Sequence, residues 1–391
     1  MNVDEFAMER MQSTYENSVD VNLSESGVHP MRLGELVDDA SARDALFGEA
    51  LRYTQSNGTV PLRSLIAAQY DGVTPDHVQV TNGGAEANFL AAWRLVEPGD
   101  EVVFMVPNYM QLWGVARAFG ATMTKWPLGT VGTLVTGTAG PLLRWGVDTD
   151  HLSRLVSART KLIVICNPNN PTGARIDASD LETIARIADR HGVWILSDEI
   201  YRGAERDGRE TPTMWGRSER VVVTSGLSKA YGLPGLRIGW AVGPPSLIAR
   251  LWSYHDYVTI APGALSDALA RHALEPSRRT SILARTRRIL NENFPVIAAW
   301  LDAHGSAFTY APPDAGAIVY VRYHHQVNST TLVTRLRNEK SVLVVPGDHF
   351  GMDGYLRIGY GEQTAYLRRG LERLHDLLVD VGSGPAAATD R

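Results

Sequence analysis

Apolar positions along the chain fall into two patterns. Short continuous runs, EVVFMV at 101–106, LIVIC at 162–166, VWIL at 193–196 and VVV at 221–223, read as strands. Between them, apolar residues recur three and four apart. In 179–190, Leu181, Ile184, Ala185 and Ala188 stand at i, i+3, i+4 and i+7, so one face of a helix there is apolar. Gly192 follows as a C-terminal cap. Residues 61–69 and 85–96 also read as helices. A strand that is apolar without alternation is buried on both faces, which is the environment of a parallel sheet covered by helices.

This α/β pattern runs over 40–265. Beyond it, 266–381 mixes a helical region at 271–300 with short strands at 316–321, 342–345 and 355–358, which predicts a smaller α+β domain. Residues 1–39 read as an arm of weak periodicity that ends in the loop Ser24-Glu25-Ser26-Gly27-Val28-His29-Pro30. The last stretch, 382–391 (GSGPAAATDR), has no large apolar side chain and is expected to be disordered.

Composition narrows the function classes. Apolar residues make up 44% and charged residues 21% of 391, as in ordinary soluble globular proteins. The single cysteine, Cys166, excludes an internal disulfide framework and a cysteine-based zinc site. A formal net charge of −5 gives no basic footprint for nucleic acid. No apolar run approaches the ~18 residues of a membrane span, and the opening MNVDEFAMERMQ is acidic and polar. A cytoplasmic enzyme without nucleic-acid or membrane partners is expected. No metal is expected: His324-His325 has no third ligand at useful spacing. The glycine-rich stretch 129–140 lacks the Lys-Ser/Thr ending of a P-loop and reads as an inserted surface loop. His349 lies in a loop before Arg357 and is a lesser candidate for substrate contact.

Candidate chemistry sits where strands end, because ligands of open parallel sheets bind beyond the carboxyl ends of strands. LIVIC runs into Asn167-Pro168-Asn169-Asn170-Pro171-Thr172-Gly173. VWIL runs into Ser197-Asp198-Glu199-Ile200-Tyr201, and VVV into Thr224-Ser225-Gly226-Leu227-Ser228-Lys229. An amide, a carboxylate, a phenol and an amine therefore meet at one sheet edge if these strands are neighbours. Upstream, Gly83-Gly84-Ala85 precedes a helix, where bare backbone N–H groups and the positive helix end suit a phosphate.

These motifs, with GLSKAYGLPGLRIGW at 226–240 and LRIGY at 356–360, resemble the class I/II aminotransferases, pyridoxal-phosphate enzymes of fold type I. The resemblance covers residues 23–378. It implies a mostly parallel seven-stranded sheet flanked by helices in the large domain, a small α+β domain that the arm joins, and a homodimer with a shared site. It further implies that Lys229 forms the Schiff base with the cofactor aldehyde and then serves as acid and base at the substrate's α-carbon. Asp198 pairs with the pyridine nitrogen, and Tyr201 and Asn170 bond the ring's 3′ oxygen. Arg237, Ser228, Gly84 and Ala85 hold the phosphate, Tyr109 stacks on the ring, and Tyr53 reaches the phosphate in the neighbouring subunit. Arg357, beside Asn170 and Gly27, clamps the substrate carboxylate.

The reaction expected from this resemblance is transamination between an L-amino acid and a 2-oxo acid. The alternative is elimination and cyclisation. The arm from Asn22 to Pro30, the Gly-Leu-Pro-Gly-Leu-Arg stretch and residues 342–347 are similar to capreomycidine synthases, which act on a hydroxylated arginine. In that case Glu16 or Glu25 of the acidic arm pairs with a guanidinium. A non-catalytic ligand sensor is disfavoured because no DNA-binding segment is visible. A nicotinamide dehydrogenase is disfavoured because no strand leads into Gly-x-Gly-x-x-Gly.

Overall fold

A computed structural model describes residues 3–131 and 143–382. Its central sheet has seven strands: β1 (Val78–Thr81), β2 (Glu101–Val106), β3 (Thr122–Pro127), β4 (Thr160–Cys166), β5 (Trp194–Asp198), β6 (Val221–Gly226) and β7 (Gly239–Val242). Their order is β1-β7-β6-β5-β4-β2-β3. β7 runs antiparallel to both of its neighbours, and the other pairs are parallel. Alternate residues feed two apolar layers. Val102, Phe104, Leu162, Val164, Leu196 and Val222 pack on one side. Val103, Met105, Ile163, Ile165, Ile195 and Val223 pack on the other. This is why the strands read as unbroken apolar runs.

A second, antiparallel sheet is built from β8 (Phe308–Tyr310), β9 (Ile318–Tyr323), β10 (Val345–Pro346) and β11 (Tyr355–Gly359), in the order β8-β9-β11-β10. The arm reaches this part of the molecule: Val21–Asn22 pairs in parallel with Val342–Leu343.

Three differences from the sequence reading have physical causes. The arm is not irregular throughout, because Ala7–Tyr15 forms a helix, α1. Only Met8 and Gln12 on it are buried, and several of its polar residues face a cavity, so its pattern is not that of a core helix. β5 and β6 run further than their apolar stretches, to Asp198 and Gly226, because their polar ends are buried in the site described below. β1 and β7 (VQVT and GWAV) are too short and too mixed for periodicity to find. Gly129–Val131 pairs with Arg144–Gly146, and the glycine-rich stretch joining them lies outside the described residues from 132 to 142. The expected tail, 382–391, also lies outside them apart from Gly382.

Candidate active site

Helix α2 (Gly84–Leu95) and helix α3 (Gln111–Ala118) follow β1 and β2. The expected strand ends do converge. β6, β5 and β4 are adjacent, with Cys166 opposite Asp198 and Asp198 opposite Thr224 in register. Beyond this row lies a cavity of about 370 Å³. Gly84 and Ala85 line it from the start of α2, Tyr109 from the turn before α3, and Asn170 from the loop after β4. Asp198 and Tyr201 come from the end of β5, and Ser228, Lys229 and Arg237 from the chain between β6 and β7. Arg357 reaches in from β11. A Cβ on Gly27 would come within 3.6 Å of Lys229 Cδ, so this residue packs against the lysine stem. His349 is not among the cavity's lining residues.

Tyr53 stands apart. Its side chain is 84% exposed in the single chain and lies in a shallower surface depression with Glu49, Arg52 and Arg271. Nothing within one chain brings it to Lys229.

The chemistry of the donors can be read group by group. Asp198 accepts from Asn88 Nδ2 at 2.9 Å and from the backbone N–H of Ile200 at 3.1 Å. Burial pushes its carboxyl above the usual range, and these two donors oppose that shift. Burial also raises the Tyr201 phenol, which donates to Ser26 Oγ at 2.8 Å. Arg357 is 1% exposed and donates to Asn170 Oδ1 at 2.9 Å and to the Ser24 carbonyl at 2.5 Å. A guanidinium only donates, so the Asn170 carbonyl oxygen must face Arg357, which leaves its NH₂ for another partner. Arg357 Nε has no partner. Burial lowers the pKa of this guanidinium, and Tyr201, Glu25 and Glu9 work against that.

The α2 end of the cavity suits a dianion. Gly83 caps α2 at φ +89°, and a Cβ there would lie 2.3 Å from Arg237 Nη2. Gly239 is as constrained, because its Cβ would meet the Gly83 backbone at 2.3 Å. Two glycines thus let β7 and the arginine close on the helix N-terminus. Arg237 itself sits at φ +51°, a left-handed conformation that costs a non-glycine residue about 1–2 kcal/mol. Its Nη1 lies 3.4 Å from Ser228 Oγ. Two glycines, a guanidinium, a hydroxyl and a helix N-terminus together have the chemistry that suits a phosphate. With a lysine, a half-buried carboxylate and a phenol beyond it, the donor set fits pyridoxal phosphate.

On the side of the cavity nearest the arm, the sequence pointed only to Glu16 and Glu25, and both line it. Helix α1 contributes Met8, Glu9, Gln12 and Ser13, and the chain after it adds Glu16, Glu25 and Ser26. Tyr109 donates its hydroxyl to Glu9 Oε1 at 2.8 Å and meets the Phe6 ring edge-on at 5.0 Å. Glu25 Oε2 lies 3.6 Å from Lys229 Nζ. Lys229 holds the Glu25 carboxyl below its ordinary value. The Glu16 carboxyl is raised, first by burial and then by the charges of Glu25 and Glu9. Asn88 was missed as well. Its signal was a polar residue on the buried stripe of α2, among Ala87, Leu90 and Ala91 and one turn after Gly84.

Comparison with known proteins shows the family of the chain. Residues 31–374 match the family Aminotransferase class I and II. The chain is 32% identical to capreomycidine synthase of Streptomyces vinaceus, over 94% of this chain and 92% of that protein. It is 28% identical to aspartate aminotransferase of Streptomyces avermitilis, over 84% and 82%. Among solved structures, a PLP-dependent aminotransferase from Streptococcus suis superimposes with a TM-score of 0.88 at 30% identity, over 98% of this chain and all of that one.

Proposed function

The chain belongs to the class I and II aminotransferases, and from that membership we propose that it moves the amino group of an L-amino acid to a 2-oxo acid, using pyridoxal 5′-phosphate held at Lys229. The observation that carries this reading is one cavity lined by Lys229, Asp198, Tyr201, Asn170 and Arg357 together with a phosphate cradle. When bound, the cofactor supplies an aldehyde that captures the amino group and a ring that draws electrons from the α-carbon.

The protein's residues do the rest. Arg237, Ser228 and the N–H groups of Gly84 and Ala85 hold the phosphate. Asp198 would hold the ring nitrogen in its protonated form. The Asn170 NH₂ and the Tyr201 hydroxyl would hold the ring's 3′ oxygen, and Tyr109 would pack against the ring. Arg357 fixes the substrate carboxylate and so aims the Cα–H bond at the Lys229 amine, which carries the proton away and returns it. Asn170 and Gly27 shape the same end of the pocket.

Tyr53 completes the site of a second copy in a homodimer. An exposed apolar face supports this. Phe47, Leu51 and Tyr53 are more than 80% exposed. The Thr54 hydroxyl, 2.8 Å from the Pro262 carbonyl, ties this segment to the one carrying the exposed Tyr257 and Ile260. We place the arm at 1–39, the cofactor-binding domain at 40–265 and the small domain at 266–381. No described helix is long and apolar enough to cross a membrane, and we propose a cytoplasmic location.

A second reading has its own support. Glu9, Glu16 and Glu25 line the cavity beside a single buried arginine. Once Lys229 is occupied by cofactor and Arg357 by a carboxylate, these three acids lack a cation. That favours a substrate with a cationic side chain. It keeps open a capreomycidine-synthase type of elimination and cyclisation on a hydroxylated arginine. One experiment separates the readings: incubate cofactor-loaded protein with single amino acids, including arginine and hydroxyarginines. Conversion of the cofactor to its aminated form with release of an oxo acid supports transamination. A product lighter by one water supports cyclisation. No reaction with any amino acid contradicts both.

A further inference from the structure

Asp198 and Thr224 stand opposite each other on adjacent strands β5 and β6. Asn88, on α2 above them, joins the two. Its Nδ2 donates to Asp198 Oδ2 at 2.9 Å, and its Oδ1 accepts from the Thr224 hydroxyl at 2.6 Å. Asn88 is 1% exposed and Thr224 is fully buried, so water does not take over either bond.

The direction of the chain of bonds is informative. An ionised carboxylate only accepts. With Asp198 ionised, the amide must turn its NH₂ toward the acid, which leaves its oxygen for the threonine hydroxyl. Thr224 donates to that oxygen and so locks the amide in this orientation. The second carboxylate oxygen, Oδ1, is held by the Ile200 N–H. One donor on each oxygen fixes the plane of the carboxylate. The remaining lone pairs are left for a cationic donor on the cavity side.

The titratable groups around Asp198 do not duplicate this function. Cys166 on β4, Tyr201 after β5 and Tyr109 before α3 are all kept neutral by burial, and Lys229 lines the cavity nearby. The two side-chain and backbone donors on Asp198 are both uncharged N–H groups. Burial alone would drive the acid toward its neutral form, and these donors oppose that drive.

Resting on the cofactor reading above, we propose that Asn88 is a positioning residue that holds Asp198 as an aimed, ionised partner for the ring nitrogen, with Thr224 locking the amide in place.

The test uses holoenzyme loaded with pyridoxal phosphate labelled with ¹⁵N at the ring nitrogen. Its chemical shift reports where the ring proton lies. Asn88→Leu removes the donor and keeps the branched shape of the side chain. The carboxylate becomes more basic and pulls on the shared proton, so the ¹⁵N shift moves toward that of a neutral ring at every pH. The half-reaction kcat falls by about tenfold, the size of one lost charge-assisted hydrogen bond, and KM is unchanged.

Asn88→Asp is the informative partner variant. When protonated, the introduced carboxyl donates to Asp198 as the amide does. When ionised, it repels Asp198. The ¹⁵N shift and kcat of this variant should match wild type at low pH and depart from it as pH rises, a profile that a packing defect would not produce. A wild-type shift and kcat in Asn88→Leu, or a pH profile in Asn88→Asp that parallels wild type, would overturn the proposal. If wild-type protein carries no cofactor at all, the reading of the site fails, and that outcome is distinct from failure of Asn88 alone.

Discussion

Replacing Arg357 by lysine tests how the substrate is gripped. The guanidinium has five N–H donors. One serves Asn170 Oδ1 and one the Ser24 carbonyl, and Nε is unpaired. Three donors therefore remain, enough to take a carboxylate as a fork. A lysine ammonium has three donors in all, and the same two acceptors claim two of them. One remains, and the paired geometry is gone. The loss amounts to one charge-assisted hydrogen bond, about 1.5–3 kcal/mol. As transition-state binding, that is a fall of about 10- to 150-fold in kcat/KM. The assay compares an amino acid with the amine that differs from it only by the missing carboxylate, each in single turnover with loaded protein. The penalty of Arg357→Lys should appear with the amino acid and vanish with the amine. An equal penalty with both would mean that Arg357 supports the cavity wall and does not bind the carboxylate.

Tyr53→Phe should leave stability within about 0.5 kcal/mol of wild type, since the side chain is 84% exposed. If Tyr53 serves a second copy as proposed, the cofactor's Kd should rise about tenfold through loss of one hydrogen bond, and an unchanged Kd would remove Tyr53 from the site. Gly83→Ala should cost about 1–3 kcal/mol for an alanine at this positive φ and displace Arg237. It should lower both the Tm and cofactor affinity, and normal cofactor binding would argue against the phosphate cradle. Glu25 has a lowered pKa because of Lys229, so in cofactor-free protein its ion pair stabilises the fold above the unfolded carboxyl value near 4.5. That contribution is lost as pH falls through the lower folded value. The side chain is 47% exposed, so the contribution is below about 1 kcal/mol. The Tm gap between wild type and Glu25→Gln should thus be small at neutral pH and close in acid. A gap that widens in acid would reverse the assigned sign.

Where the sequence was legible, a single local rule decided the structure. Helix Ala178–His191 follows its apolar stripe, and Gly192 ends it in the left-handed conformation. β2 matches its apolar run from Glu101 to Val106. The strand-end clusters were legible because polar residues that interrupt buried strands need a reason to be there, and Asp198, Asn170 and Lys229 do line one cavity. The cavity wall made by α1 was not legible. Glu9 and Gln12 are polar residues on a polar helix, and only tertiary packing shows that they line the cavity, whereas Glu16, just past the helix, was already singled out within the acidic arm. Asn88 was hidden for the opposite reason: it is a lone polar residue within the buried, otherwise apolar stripe of its helix. Tyr53 marks the limit of a single chain, since its exposed side chain gains a role only if the proposed second copy covers it.

The central claim is a covalent tether at one lysine. Borohydride reduction of the loaded protein, followed by digestion and mass spectrometry, reads it directly. The peptide containing Lys229 should carry the reduced cofactor, and Lys229→Ala should abolish the label. A label on another lysine, or an unmodified Lys229 in protein saturated with cofactor, would contradict the account.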